Sequence, residues 1–165
     1  NTNMKILGVD PGIARSGWGV IEYQKSKIKN QKYGCIETSP NLDASQRLRY
    51  IYHSVLMIIN EYKPDVLAVE ELFFNTNAKT AFVVGQARGV ILLAAGQKNI
   101  PIATYTPLQV KMAITGYGRA EKAQIGQMVK VLLKLKEIPK PDDIADALAV
   151  ALTHAFSKNF KEASH

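Results

Sequence analysis

The chain has 165 residues, of which 47% are hydrophobic and 21% charged, a composition that is typical of one folded domain and excludes a disordered chain. Lysine and arginine number 21 against 14 aspartate and glutamate residues, and the formal charge of +7 favours an anionic partner such as nucleic acid, with general solubility as the alternative. Cys35 is the only cysteine, which excludes an internal disulfide bond and a cysteine-built zinc site and favours a cytoplasmic location.

The N-terminal part of the chain is predicted to form three strands and a helix. "KILGVD" at Lys5–Asp10 is apolar and runs into Asp-Pro-Gly, which signals a strand closing in a turn. "GWGVIEY" at Gly17–Tyr23 and "KYGCIE" at Lys32–Glu37 continue it as a meander. Apolar residues then recur at helical spacing, which predicts a helix from Asp43 to Tyr62.

The rest of the chain alternates between predicted strands and helices. In order, these are a strand at Asp65–Val69, a helix at Ala78–Gln97, a strand at Pro101–Thr106, a short helix capped by Thr106 and ended by Gly116, a helix at Ala120–Leu135 and a helix at Asp143–Phe156. Three strands followed by this alternation predict an α/β fold, with a mixed five-stranded sheet flanked by helices on both faces.

Residues 4–157 are expected to form a single domain and residues 158–165 a C-terminal tail. Asn1, Thr2 and Asn3, which precede Met4, are interpreted as a remnant of cloning rather than a signal peptide. No uninterrupted apolar run approaches the length of about 18 residues that a membrane span needs, so no membrane partner is expected.

Acidic residues stand at the ends of two predicted strands. Asp10 ends the first strand, and Glu70 and Glu71 follow the fourth. If those strands are parallel neighbours, their carboxylates meet at one edge of the sheet, where the sites of α/β proteins gather. The alternative is that each acid is merely a solvated residue at a strand end.

A second group of acids opens the last predicted helix, in "KPDDIADALAVALTH". Asp142, after a proline, suits the N-cap position, and Asp143 and Asp146 then share one face of the helix. The helix dipole contributes only about 0.3–1 kcal/mol per group, which is too little to hold two clustered anions. A divalent cation would serve, and the alternative is one capping aspartate with two ordinary first-turn acids.

Together, Asp10, Glu70, Asp143 and Asp146 make an all-oxygen set, which suits magnesium or manganese rather than zinc. Two Mg²⁺ ions about 3.5–4 Å apart would clamp a phosphodiester between an activated water and the leaving oxygen. The set therefore predicts a two-metal hydrolytic centre, with Mn²⁺ as a substitute for Mg²⁺.

Basic residues follow near the same predicted sheet edge. Lys111 lies in the short helix, and Arg119 and Lys122 flank the start of the next one, joined by the glycine-containing loop "TGYGRAEK". These three side chains are candidates for gripping a DNA backbone. Three further lysines are interpreted as a solvated helix face: Lys130, Lys134 and Lys136.

Phe73 and Phe74 form an adjacent aromatic pair just after the predicted carboxylate strand. Two neighbouring phenylalanines in a loop cannot easily both face a core, so at least one is a candidate for stacking on a base. Core packing is the alternative.

Five segments of the chain closely resemble the RuvC family of Holliday junction resolvases. They occur in the expected order between Met4 and about Phe156: "ILGVDPGIARSGWGVI", "VEELFF", "GQARGV", "AEKAQIGQMVKVLLKL" and "DDIADALAVALTHA". The resemblance implies a ribonuclease H-like fold and a homodimer that nicks two like-polarity strands of a four-way DNA junction in recombination and repair. It also implies dependence on magnesium or manganese, and a branch-migration motor complex as partner.

The resemblance assigns roles to particular residues. The four catalytic acids fall on Asp10, on Glu70 as the opening of Glu-x-x-Phe, and on Asp143 and Asp146. Some members carry histidine at the position of Asp143.

The inserted aromatic residue corresponds to Phe73, and two DNA-contacting lysines fall on Lys111 and Lys122. Glu71 and Asp142 are extra acids beside functional ones, which leaves the choice within each pair open.

Two other function classes compete with a junction nuclease. An actin-like or sugar-kinase ATPase also uses aspartate and glycine in a first hairpin, but it needs a second similar lobe that 165 residues without a repeat do not provide. A catalytically silent DNA-binding module is disfavoured by the intact spacing of four acids.

Overall fold

The computed structural model describes residues 3–71 and 77–163. The elements are, in chain order, β1 (Met4–Asp10), β2 (Arg15–Gln24), β3 (Lys27–Glu37), α1 (Ala44–Tyr62), β4 (Val66–Glu70), α2 (Ala78–Gln97), β5 (Ile102–Tyr105), α3 (Pro107–Thr115), α4 (Lys122–Leu132) and α5 (Asp142–Ala163). The strands form one sheet in the order β3-β2-β1-β4-β5. β1 is antiparallel to β2 and parallel to β4, so the predicted mixed five-stranded α/β sheet is confirmed.

β3 and α5 extend furthest beyond the bounds that the sequence pattern predicts. β3 begins at Lys27 rather than Lys32, because backbone pairing with β2 continues through polar residues as far as Gln24, which no apolar pattern marks. α5 begins at Asp142, which is already helical rather than its N-cap, and continues to Ala163. The helix therefore enters the predicted tail, and the division into domain and tail stays a prediction.

α3 begins and ends where the capping residues Thr106 and Gly116 predict, whereas α4 is shorter than predicted. The Thr106 hydroxyl accepts a hydrogen bond from the third helical residue, and Gly116 ends α3 at a φ of 74°. α4 ends at Leu132 rather than Leu135, because the chain turns through Lys134 at a φ of 55° while the apolar pattern runs on.

The side chains of the sheet alternate between two apolar layers. Ile6 packs into a core beneath α3, α4 and α5, and Leu7 packs into a second core beneath α1 and α2. In β4, Ala68 belongs to the first core and Val69 to the second. Helices cover both faces, as a strand that is apolar at every position requires.

Glycines allow α5 to lie directly on β1 and β2. A Cβ atom on Gly8 would come 2.0 Å from the carbonyl oxygen of Ala147, and one on Gly17 would come 2.1 Å from that of Asp143. There is no room for a side chain at either position, so the backbone of α5 is in direct contact with the sheet. This contact fixes the height at which the first turn of α5 sits above the end of β1.

α2 is the described helix whose length and composition would suffice to cross a membrane, a test that core helices of soluble proteins also pass. It packs against α1 and buries Ala87 and Ile91 in the second core. Phe82 and Leu93 are 67% and 53% exposed on its outer side. α2 therefore presents an apolar surface away from the core.

We expect Gly8→Ala to lower the free energy of unfolding by about 1–3 kcal/mol or more, because the new methyl group would displace backbone rather than a flexible side chain. Urea unfolding of the purified protein measures this. Gly96→Ala is the matched control, since no atom lies within 4 Å of its would-be Cβ. A stability of Gly8→Ala equal to that of Gly96→Ala would show that α5 does not rest on this glycine.

Candidate active site

Two carboxylates end neighbouring parallel strands. β1 and β4 pair with Val9 opposite Val69, so the next residues, Asp10 and Glu70, lie at the same carboxyl edge of the sheet. Alternation along each strand places both on the face that α5 covers. Glu71 takes the opposite direction and is exposed.

Hydrogen bonds hold the turn that follows Asp10. Ser16 is fully buried, and its hydroxyl accepts from the Gly12 N–H at 3.0 Å and donates to the Gly12 carbonyl at 2.7 Å. The Thr38 N–H donates to the Ala14 carbonyl at 3.0 Å and ties the turn to the end of β3. The polar groups of this tight turn are thus satisfied, and the start of β2 is held close to Asp10.

The first turn of α5 adds two further carboxylates to the edge. Asp143 and Asp146 stand three residues apart, and the contact of Gly17 with the helix backbone brings this turn above β1 and β2. Asp10 and Asp146 share a side-chain hydrogen bond, with Asp10 as the protonated partner. Two carboxyl groups this close cannot both ionise without a compensating charge.

The pKa values show how strongly the acids oppose one another. Burial, together with repulsion from the carboxylates of Asp146, Asp143 and Glu70, raises the pKa of Asp10 to about 8. Burial is also the largest cause of the raised pKa of Glu70 and of Asp146. The cluster therefore holds a proton near neutral pH, at a site where a cation would be bound instead of it.

Basic side chains partly compensate the cluster. The Lys122 Nζ lies 3.2 Å from Asp146 Oδ2, and the Arg15 Nε lies 3.6 Å from Asp143 Oδ2. Burial acts to lower the pKa of Lys122, but the carboxylates of Asp146, Asp142 and Asp10 together outweigh it and raise that pKa. The positive charge of Lys111 acts on Glu70 and opposes the rise of its pKa.

The donor set suits a hard divalent cation. The four converging acids offer carboxylate oxygens alone, which magnesium and manganese prefer. Within residues 3–71 and 77–163, no three acidic, histidine or cysteine side chains already enclose a point at ligand distance. Asp143 and Asp146 each face a basic group, which offsets part of the negative charge of the cluster.

The other predicted site residues are distributed around this cluster. Asp142 is exposed at the start of α5, beside the acids but pointing to solvent. Arg119 is exposed in the loop before α4, and in the described part of the chain no ion pair joins it to an acid. Phe73 and Phe74 lie outside the described residues.

Arg15 is a site residue that the sequence reasoning missed. It lies at the start of β2, five residues after Asp10, and its guanidinium reaches a carboxylate of α5. Its position inside the Asp-Pro-Gly hairpin was the available signal. The pairing itself depends on where α5 crosses the sheet, which residue spacing does not reveal.

Comparison with known proteins agrees with this geometry. The family profile described as crossover junction endodeoxyribonuclease RuvC matches residues 6–154. The chain is 59% identical to the crossover junction endodeoxyribonuclease RuvC of Desulforamulus reducens, over 92% of this chain and 93% of that one. It is 55% identical to the protein of the same name from Alkaliphilus oremlandii, over 96% and 97% of the two chains.

Solved structures show the same fold. A structure of Thermus thermophilus RuvC in complex with a Holliday junction substrate superposes with a TM-score of 0.90 at 40% identity, covering 96% of each chain. Another structure of T. thermophilus RuvC gives a TM-score of 0.88 at 39% identity, covering 96% of this chain and 97% of that one. The fold is therefore ribonuclease H-like. The chain belongs to the RuvC family of crossover junction endodeoxyribonucleases.

Proposed function

We propose that Asp10, Glu70, Asp143 and Asp146 form the catalytic and metal-binding centre with which this endonuclease resolves Holliday junctions. One observation carries the assignment: four acids from three elements converge, and their mutual repulsion helps to raise the pKa of Asp10 to about 8. A cluster kept at such electrostatic cost is the mark of a functional site. The RuvC family is one of metal-dependent nucleases, and Mg²⁺ is the proposed ion, with Mn²⁺ as a substitute.

Two bound Mg²⁺ ions would supply the Lewis acidity that activates a water and stabilises the leaving oxygen of a phosphodiester. The chain's own residues bind and orient. Asp10 and Glu70, at the ends of two paired strands, give fixed ligands on a rigid edge. Asp143 and Asp146, on the first turn of α5, give the opposing pair. Replacement of the shared proton by metal leaves Asp10 ionised at neutral pH.

Lys111, Lys122 and Arg119 would hold the phosphates that flank the cleaved bond. Lys111 and Lys122 are near enough to affect the pKa of Glu70, so a strand bound across the acids meets both ammonium groups. Arg119 lies in the loop that joins their helices. Phe73, with Phe74 as second choice, is proposed to stack on an unpaired base at the crossover, where stacking is worth about 1–3 kcal/mol.

The proposed substrate is a four-way DNA junction, and the proposed active form is a homodimer. Paired nicks in two strands of like polarity need two active centres, whereas this chain supplies one cluster of acids. The outer side of α2 supports a dimer contact, because Phe82 and Leu93 are exposed there and a Cβ atom on Gly89 would meet nothing within 4 Å. A branch-migration motor complex as partner and a cytoplasmic location complete the proposal.

The decisive test is cleavage of a synthetic four-way junction with linear duplex and ATP as comparisons. We expect paired, Mg²⁺-dependent nicks in the junction alone. Glu70→Gln should lower the cleavage rate by more than about 100-fold. Loss of a residue that merely hydrogen-bonds to a metal ligand already costs about 10–100-fold. Glu71→Gln is the matched control and should keep most of the activity, because its side chain points to the other face of the sheet.

Asp10→Asn should likewise abolish cleavage while junction binding persists, as it removes a ligand and no phosphate contact. Near wild-type cleavage by Asp10→Asn, or greater damage from Glu71→Gln than from Glu70→Gln, would overturn the assignment. ATP turnover by the wild type would instead favour an ATPase.

The raised pKa of Asp10 predicts how stability depends on pH when a chelator is present. The folded state holds the Asp10 proton more tightly than the unfolded state does. The contribution of this proton to folding stability is therefore complete below pH about 4 and is lost as pH rises toward about 8. Asp10→Asn should therefore flatten this decline and melt above the wild type at pH 9 without metal.

Mg²⁺ should raise the melting temperature of the wild type most at high pH, since protons then compete least. The same addition should have a smaller effect on Asp10→Asn. Thermal melts at pH 5 and 9, with chelator or Mg²⁺, measure all four combinations. Equal pH profiles for the two proteins would contradict the electrostatic description of the site.

The proposed dimer contact predicts the effect of charge on α2. Phe82→Asp and Leu93→Asp should shift the protein from dimer to monomer in analytical ultracentrifugation, because each places a carboxylate in an apolar interface. Val131→Asp is the control, as Val131 is 64% exposed on α4, in the other helical layer. A wild-type protein that sediments as a monomer at micromolar concentration would count against the homodimer.

A further inference from the structure

A basic cleft lies far from the acids, between the tip of the β2–β3 hairpin and the end of α4. It has a volume of about 790 Å³, and Leu132 closes its floor on the α4 side. Four of its lining residues are exposed lysines: Lys25, Lys27, Lys29 and Lys134. Glu22 is the one acid that lines it, so the cleft has a formal charge of +3, out of +7 for the whole chain.

The backbone of the cleft is unusual as well as its charge. Lys25 and Ser26 occupy both central positions of the hairpin turn with φ values of 50° and 64°, and Lys134 has a φ of 55°. Asparagine and glycine adopt this left-handed region more readily than lysine or serine do. Two lysines are therefore held at positions where the backbone favours another residue.

The cleft is connected to the acids by α4. The helix begins at Lys122, which pairs with Asp146, and ends at Leu132, which lines the cleft. Its 11 residues span about 16 Å, and the six residue steps from Asp10 back to Met4 along β1 span about 20 Å. With base pairs about 3.4 Å apart, a separation of about 16–20 Å corresponds to about five to six base pairs of duplex.

We propose that the lysine cleft binds backbone phosphates of a junction arm, about five to six base pairs from the crossover whose strand lies on the acids. The inference rests on the proposed function, because it takes the junction to be the bound DNA. An arm that leaves the acids beside Lys122 and follows α4 reaches the cleft with its backbone facing four ammonium groups. Such contacts position the duplex and carry no base specificity.

Duplex DNA fits the cleft better than an acidic protein segment. The lining offers exposed point charges and two partly buried aliphatic residues, Ile28 and Leu132, rather than the aromatic anchors on which protein interfaces depend. Lysines of this kind bind phosphates through release of counterions, and each phosphate contact adds about 0.9 to the slope of log affinity against log salt.

The test compares variants that remove one positive charge in the same backbone conformation. Lys134→Asn removes a cleft lysine that lies just beyond the end of α4. Lys63→Asn is the control, because it removes a lysine outside the cleft, at the C-cap of α1, where φ is 50°. We expect Lys134→Asn and Lys25→Asn each to lower the salt slope of junction binding by about 0.9. Lys63→Asn should leave the slope unchanged, with a melting temperature shift like that of Lys134→Asn.

The position of the contact is tested with junctions that carry neutral methylphosphonates about five to six base pairs from the crossover. These should weaken binding of the wild type and of Lys63→Asn, but add little to the loss already caused by Lys25→Asn or Lys134→Asn. Methylphosphonates about 15 base pairs out are the control. Unchanged salt slopes in Lys25→Asn and Lys134→Asn, with methylphosphonate losses in affinity that add to those of the variants, would overturn the arm contact. Junction cleavage by the wild type would still support the proposed function in that case.

Discussion

The site depends on the direct contact between the backbone of α5 and the glycines of β1 and β2. Helices usually pack on a sheet through side chains, which would hold the helix several ångströms higher. Here a Cβ atom on Gly8 or Gly17 would collide with α5 carbonyl oxygens. The lowered helix buries its alanine-rich side in the core and brings Asp143 and Asp146 over the carboxyl end of β1. Packing and chemistry therefore share one constraint.

The second constraint is the charge that this packing concentrates. Burial and the neighbouring carboxylates together raise the pKa of Asp10 to about 8. Lys122 and Arg15 reduce the repulsion by pairing with two of the acids. A metal ion at the proposed site would neutralise the same carboxylates, which would leave these basic groups freer to meet DNA phosphates. Metal and substrate binding would then support each other.

Most of the fold could be predicted because apolar alternation and helix caps are local signals. Alternation along "VLAVEE" separates Glu70 from Glu71, and in the structure Glu70 is half-buried at the end of β4 whereas Glu71 is exposed. The length of the β2–β3 hairpin could not be predicted, since polar residues pair there around a turn without glycine or asparagine. The Arg15 to Asp143 pair was missed for a different reason: it joins elements whose approach depends on a glycine contact that spacing does not encode.

The order of the acids along the chain has a consequence for synthesis. The first comes from β1, the next from β4, and the last two from α5, which follows every strand. α5 also supplies much of the core on its side of the sheet, including Leu148 and Leu152. A nascent chain that lacks this helix has neither that core nor two of the four carboxylates. On the proposed assignment, the catalytic centre therefore forms only after α5 has been made and has packed on the sheet.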